Sequence, residues 1–161
     1  MFNRISLGPA ICLLCWSNIF AAGEAFAQVP SGTDPYLSTS ASGEVEPYTH
    51  NGSDVIIETR GKSVHIRYEK PRAGLASVGA KPGTLLFAGT RSGDDVEGIA
   101  YVFKANCSPA PYSVRGRFNS RFNLTLEGNA PQWQPRSCEI STYTNSTRNA
   151  RLLFLEAFGD M

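Results

Sequence analysis

The sequence predicts an all-β domain: a small antiparallel β-barrel of about eight strands, with a β-sandwich as the alternative. Three observations predict it. From residue 53 onward, apolar side chains recur with period two in segment after segment, and no stretch repeats with helical spacing. The segments are short and are separated by turns rich in Gly, Pro, Asn and Asp. Four of them alternate cleanly with polar residues, so one sheet face is solvated, as antiparallel sheets allow. Closure into a barrel also removes the exposed edges that strands this apolar would otherwise leave.

The chain opens with Arg4 in a short polar start, an apolar run from Ile5 to Phe20, and a small-residue stretch ending Ala25-Phe26-Ala27. That is the form of a Sec signal peptide over residues 1–27, cleaved before Gln28. Gly8 and Pro9 interrupt the run, which is too short to span a bilayer. Leu14 precedes Cys15 and Ile11 precedes Cys12, so neither cysteine follows the small residue that a lipoprotein signal needs. The expected mature chain is periplasmic or secreted, with no transmembrane anchor. Residues 28–52 hold Pro30, Gly32, Pro35, Gly43, Pro47 and a Ser/Thr cluster. Their composition reads as a flexible linker, with His50 inside it. Residues 53–161 form the barrel domain.

The elements follow in order. Val55, Ile57 and Thr59 share one face of a first strand. After the turn Arg60-Gly61-Lys62, Val64, Ile66 and Tyr68 share one face of a second, completing a hairpin. A connector with Pro71, Gly74, Gly79, Pro82 and Gly83 leads to a strand over Thr84–Thr90. The turn Arg91–Asp95 leads to a strand over Gly98–Lys104. Cys107-Ser108-Pro109-Ala110-Pro111 reads as a stiff corner that cannot sit inside a sheet, because both prolines lack a donor. Tyr112–Phe118 and Phe122–Glu127 form a second hairpin about Asn119-Ser120. Gly128–Arg136 reads as a loop, Cys138–Tyr143 as a strand, Asn145–Asn149 as a turn and Ala150–Phe158 as the last strand.

Cys12 and Cys15 leave with the signal, and Cys107 and Cys138 remain. An even pair in an exported chain predicts one disulfide, tying the corner after the fourth strand to the seventh. On the chain-entropy account it contributes roughly 4 kcal/mol. No histidine lies near either thiol to complete a metal site or serve as a base.

Charge is nearly balanced: 15 basic against 14 acidic residues. That speaks against nucleic acid as a partner, since such domains are strongly basic. The sequence holds no G-x-S-x-G elbow, phosphate-binding loop or H-E-x-x-H. Of the two histidines, His65 alternates with Val64 and Ile66 and faces solvent beside Arg67. Asp94, Asp95 and Glu97 surround a Gly-containing turn, where acids are ordinary. No cofactor and no metal are expected.

Two features remain as candidate binding sites. Arg115, Arg117 and Arg121 lie on the outward side of the second hairpin or at its turn, with Arg136, Arg148 and Arg151 nearby. Guanidinium forks suit carboxylate and phosphate ligands. Trp133, in a Pro-flanked polar loop, is either a stacking platform for a sugar face or a cover for one barrel end.

The runs PGTLLF (82–87), GIAYVF (98–103), CSPAPYSVRG (107–116) and PRSC (135–138) are similar to a pattern in small uncharacterised exported proteins of Gram-negative, rhizobia-like proteobacteria. The resemblance covers about residues 64 to 158. It implies secretion, the β class and the disulfide, and no catalytic residue. The general plan also resembles periplasmic lysozyme inhibitors, which are small exported barrels with a disulfide, though no inhibitory loop motif aligns. The expected function is an exported, non-enzymatic binding module for an envelope component or a partner protein, with an anionic envelope polymer or an acidic protein as the partners the arginines suit. A glycosidase-like envelope hydrolase or a lysozyme-inhibitor-like protein is the alternative.

Overall fold

Asn51 and Gly52 both have positive φ, 50° and 75°. A two-residue hairpin turn that matches strand twist demands this backbone, and Asn-Gly is its strongest sequence signal. The turn joins β1 (Glu44–His50) to β2 (Ser53–Arg60), paired from Glu44↔Thr59 to His50↔Ser53. The computed structural model describes residues 43–157. The expected signal peptide, residues 28–42 of the expected linker and the last four residues lie outside the described residues.

The remaining strands are β3 (Ser63–Lys70), β4 (Leu85–Ser92), β5 (Asp95–Val102), β6 (Ala110–Phe118), β7 (Leu124–Glu127), β8 (Ala130–Trp133), β9 (Ile140–Thr144) and β10 (Arg151–Glu156). β1 to β7 follow one another around a closed barrel, and β10 completes it between β7 and β1. Every pairing is antiparallel. The fold is therefore a closed eight-stranded antiparallel barrel rather than a sandwich. β8 and β9 form a separate two-stranded sheet, inserted between β7 and β10. The Cys107–Cys138 disulfide, with Cα atoms 5.4 Å apart, ties the β5–β6 corner to the segment entering β9.

Three expectations need correction. Glu44–His50 is a barrel strand, so the expected linker does not reach residue 52 and the domain does not begin at residue 53. Its two buried residues, Tyr48 and His50, supply little apolar signal, but a tight hairpin on one side and barrel closure on the other give its backbone partners. The stretch Gly128–Arg136 holds β8, and Cys138–Tyr143 pairs with β8 off the barrel instead of joining it. Pro111 is the second residue of β6, opposite Tyr101. A proline near a strand's start removes only one ladder donor there, so the sheet tolerates it.

The core is the barrel interior. Val55, Ile57, Val64, Ile66, Phe87, Leu124, Leu126 and Phe154 are fully buried. Two ends differ. Tight turns close one: Gly61 and Gly93 take positive φ at the β2–β3 and β4–β5 hairpins, and the Arg91 guanidinium lies 4.4 Å from the Phe118 ring centre. The other end carries the long connections, residues 71–84, 103–109 and 128–150. On the wall between them, Gly98 and Gly116 stand at inward positions of β5 and β6. A Cβ on Gly98 would run into the Ala88 carbonyl, and one on Gly116 into the Thr125 carbonyl. Such close backbone approach marks a tight bend, which lets the wall curl shut with eight strands.

Candidate functional site

Strand register decides what the outer wall presents. Outward residues of β10, β7, β6, β5 and β4 form one row: Arg151, Glu127, Arg115, Glu97, Thr90. Directly opposed side chains on paired strands sit within reach of one another. The row therefore alternates in sign and is not a block of positive charge. Arg151 Nε lies 3.4 Å from Glu127 Oε1. One row over, Arg117 Nη2 lies 3.8 Å from Asp94 Oδ2 at the β4–β5 turn. Among the described residues Arg115 makes no ion pair within 4.0 Å, although it stands between two carboxylate strands.

An open groove of about 1120 Å³ runs over this row. Glu97, Arg115, Glu127 and Arg151 line it, with Asn129 and Asn145 from the base of the β8–β9 insertion on one side. A hollow of about 480 Å³ adjoins it, sharing Thr90, Glu97 and Arg115 and adding Asp95 and Arg117. Sequence-predicted Arg115 and Arg117 are thus brought together.

Arg121 and Trp133 line neither hollow. Arg121 sits in the exposed β6–β7 turn, its backbone N–H donating to Asn119 Oδ1 at 2.8 Å. Trp133 is half-buried on β8. The Lys104 ammonium lies 5.5 Å from its ring centre and donates to the Gln134 and Ser137 carbonyls at 3.0 and 2.6 Å. The indole N–H is buried without a partner among the described residues. Trp133 therefore braces the insertion against the β5–β6 corner, with one ring face occupied by Lys104. Among the described residues no three His, Cys, Asp or Glu side chains cluster as metal ligands would.

A second concavity went unread in the sequence. At the long-connection end, the barrel interior stays open as a cup of about 330 Å³. His50 points into the barrel at 5% exposure, not out of a linker. Its Nδ1 lies 2.9 Å from the Leu153 carbonyl, which can only accept, so Nδ1 carries the proton. Its ring stacks on Phe154, centroids 4.7 Å apart. Burial pushes its pKa below the ordinary value, and nearby Arg72 adds to this against the hydrogen bond. Tyr112 donates its hydroxyl to the Asn149 carbonyl. Burial, then the neighbouring Tyr68, raises the Tyr112 pKa to about 12. Tyr68 is also raised by burial, with Arg72 opposing. The signal that finds this cup is Asn51-Gly52: reading it as a hairpin places Tyr48 and His50 on one strand face.

No protein-family model, curated protein or solved structure matches this chain.

Proposed function

We propose that the protein is an extracytoplasmic, non-enzymatic binding module that holds an anionic envelope polymer in the outer groove centred on Arg115. The carrying observation is a guanidinium without an ion-pair partner among the described residues, in the middle of a groove of about 1120 Å³. An exposed arginine beside carboxylates that do not engage it offers its fork to an incoming carboxylate or phosphate. The interleaved Glu97 and Glu127 accept hydrogen bonds from hydroxyls of the same polymer. They also repel a ligand that is charged at every repeat, which makes charge spacing the basis of selection. The signal-like start and the disulfide support a site of action outside the cytoplasm. No helix among the described residues is long and apolar enough to cross a membrane.

The test is co-sedimentation of the mature protein with envelope fractions at low and high salt. Binding is expected to fall in the Arg115→Ser/Arg117→Ser double variant and to weaken with salt, as screened exposed charges require. Equal co-sedimentation of both proteins at low salt rejects this reading.

One observation favours a hydrolase as the second reading. Glu97 and Glu127 face the same groove from strands on either side of β6. Two strand spacings put their backbones roughly 10 Å apart, and two carboxylates facing one groove are the groups that glycosidases use. Both, however, stand exposed on the sheet face. Release of reducing ends from envelope glycan by wild type and its loss in Glu97→Gln would establish that reading over the first.

A further inference from the structure

The interior of an eight-stranded barrel is just wide enough either to be filled by side chains or to hold one small ligand. This barrel is filled by side chains at one end and leaves a cup at the other. Toward the tight turns, Phe87, Phe118 and Phe154 fill it at 4% exposure or less. Toward the long connections the inward positions change character. His50, Tyr68 and Tyr112 stand where aliphatic residues would close the core, and a cup of about 330 Å³ remains among them. Burying polar side chains in place of apolar ones costs stability. A sequence that departs from apolar filling at one end, while keeping it at the other, marks a site.

The polar groups are also fixed in place. His50 is held by the Leu153 carbonyl and by its stack on Phe154. With the proton on Nδ1, the neutral ring leaves Nε2 as an acceptor. Tyr112 is pinned by the Asn149 carbonyl. The backbone at Arg72 is tied to the barrel through its N–H, which donates to the buried Ser53 hydroxyl oxygen at 3.0 Å. Arg72 is exposed at the rim, and its charge reaches both His50 and Tyr68. No Asp or Glu lines the cup. Aromatic walls below and a single cation at the mouth define what fits: a ring that enters between tyrosines and an anionic group that stays at Arg72.

We propose that this cup is a binding site for a small ring-bearing carboxylate, separate from the outer groove. The ring packs between Tyr68 and Tyr112, the carboxylate meets the Arg72 guanidinium, and a hydroxyl on the ring donates to His50 Nε2.

The test uses the full mature protein and two probes, 4-hydroxybenzoate for a flat ring and galacturonate for a sugar ring. Binding is read from the NMR signals of the His50, Tyr68 and Tyr112 rings, with 4-hydroxybenzamide as the uncharged control. At least one acid should saturate with those three rings shifting, and the amide should bind at least about tenfold more weakly than 4-hydroxybenzoate if that is the acid bound. Arg72→Met should bring acid affinity down by a similar factor, and Arg72→Lys should restore part of it. Arg115→Ser should leave this binding unchanged, so failure here and failure of the groove reading are separable. If neither acid moves the three rings at about 10 mM, about tenfold above a millimolar dissociation constant, the proposal falls. It falls equally if acid and amide bind alike, or if the shifts map to the groove.

Discussion

Tyr48 donates its phenolic hydrogen to the backbone carbonyl of Phe122 at 2.9 Å, across 74 residues of sequence. The bond ties the first barrel strand to the β6–β7 turn at the tightly closed end. Phe122 has φ +57°, a conformation that bulky residues rarely adopt, and its carbonyl direction is fixed by Tyr48. Burial, and after it the charge of Glu46, pushes the Tyr48 pKa up to about 12, so the hydroxyl stays a donor across the working range.

Replacing Tyr48 with Phe keeps the ring and removes the donor. The Phe122 carbonyl then loses its partner, and stability should fall by about 1–2 kcal/mol. Urea denaturation measures this. An unchanged midpoint would mean that water replaces the hydroxyl without loss.

Truncation locates where the barrel begins. A chain beginning at Gly43 keeps every described strand and should melt cooperatively at the temperature of the longer mature chain. A chain beginning at Ser53 lacks β1, leaves β2 and β10 as open edges, and should lose its cooperative transition or aggregate. Circular dichroism melts of the two proteins decide the point, and a cooperative melt of the shorter one would show that closure is dispensable.

Gly116→Ala places a methyl group against the Thr125 carbonyl, backbone that has no rotamer to yield. We expect a loss of about 1–3 kcal/mol, the range of overpacking. Gly79→Ala meets nothing within 4 Å but sits at φ +91°, and should cost less, about 1 kcal/mol. Reversal of that order would remove the case for a bend at Gly116.

The disulfide spans 31 positions. Cys107→Ser/Cys138→Ser should lower stability by up to about 4 kcal/mol on the chain-entropy account. Its effect should be local first: amide hydrogen exchange is expected to rise in β8 and β9 more than in β2 and β3. Thiol labelling of the unfolded, unreduced wild type should find no free cysteine in the mature chain.

His50 sets a pH dependence with a definite sign. Its folded-state pKa lies below the ordinary value of about 6.5, so the unfolded chain binds the proton more readily. Its neutral form therefore stabilises the fold fully above about pH 6.5, and this contribution is lost as pH falls from there toward the lower folded-state value. The stability difference between about pH 7.5 and pH 5 should be larger in wild type than in His50→Gln. Equal differences would mean that His50 is protonated without penalty in the fold.

Much of the barrel was legible because its strands obey a simple rule. Val64, Ile66 and Tyr68 alternate with solvent-facing residues, and the inward trio is buried. Tyr112, Val114 and Phe118 do the same on β6. β1 was not legible from apolar content, since Val45 faces outward and Pro47 interrupts the pattern. The Asn51-Gly52 turn carried the information instead. β9 was legible as a strand, but β8 escaped because it contains Pro131 and pairs only with β9, so the placement of both off the barrel escaped with it. At the outer face, the alternation placed Arg115 and Arg117 outward but could not say what stood opposite. Glu97 and Glu127 face Arg115 through register, a property of strand pairs rather than of any one segment. The cup was hidden for a related reason: His50, Tyr68 and Tyr112 come from three strands and converge only once the barrel closes.

The seam where β10 meets β1 is short, with Tyr48↔Glu156 and Thr49↔Leu155 as its paired positions and one further bond from the Ala157 N–H to the Pro47 carbonyl. It also joins the two ends of the described chain, whereas the β1–β2 and β4–β5 ladders grow out of two-residue turns. Bringing such distant segments together carries the largest loop-closure entropy in the molecule and is repaid by the fewest bonds. Closure is therefore expected late in folding, after the meander of hairpins has assembled. On that order, a molecule not yet closed would be a curved open sheet, with β1 and β10 exposed to one another or to the same strands of a second copy.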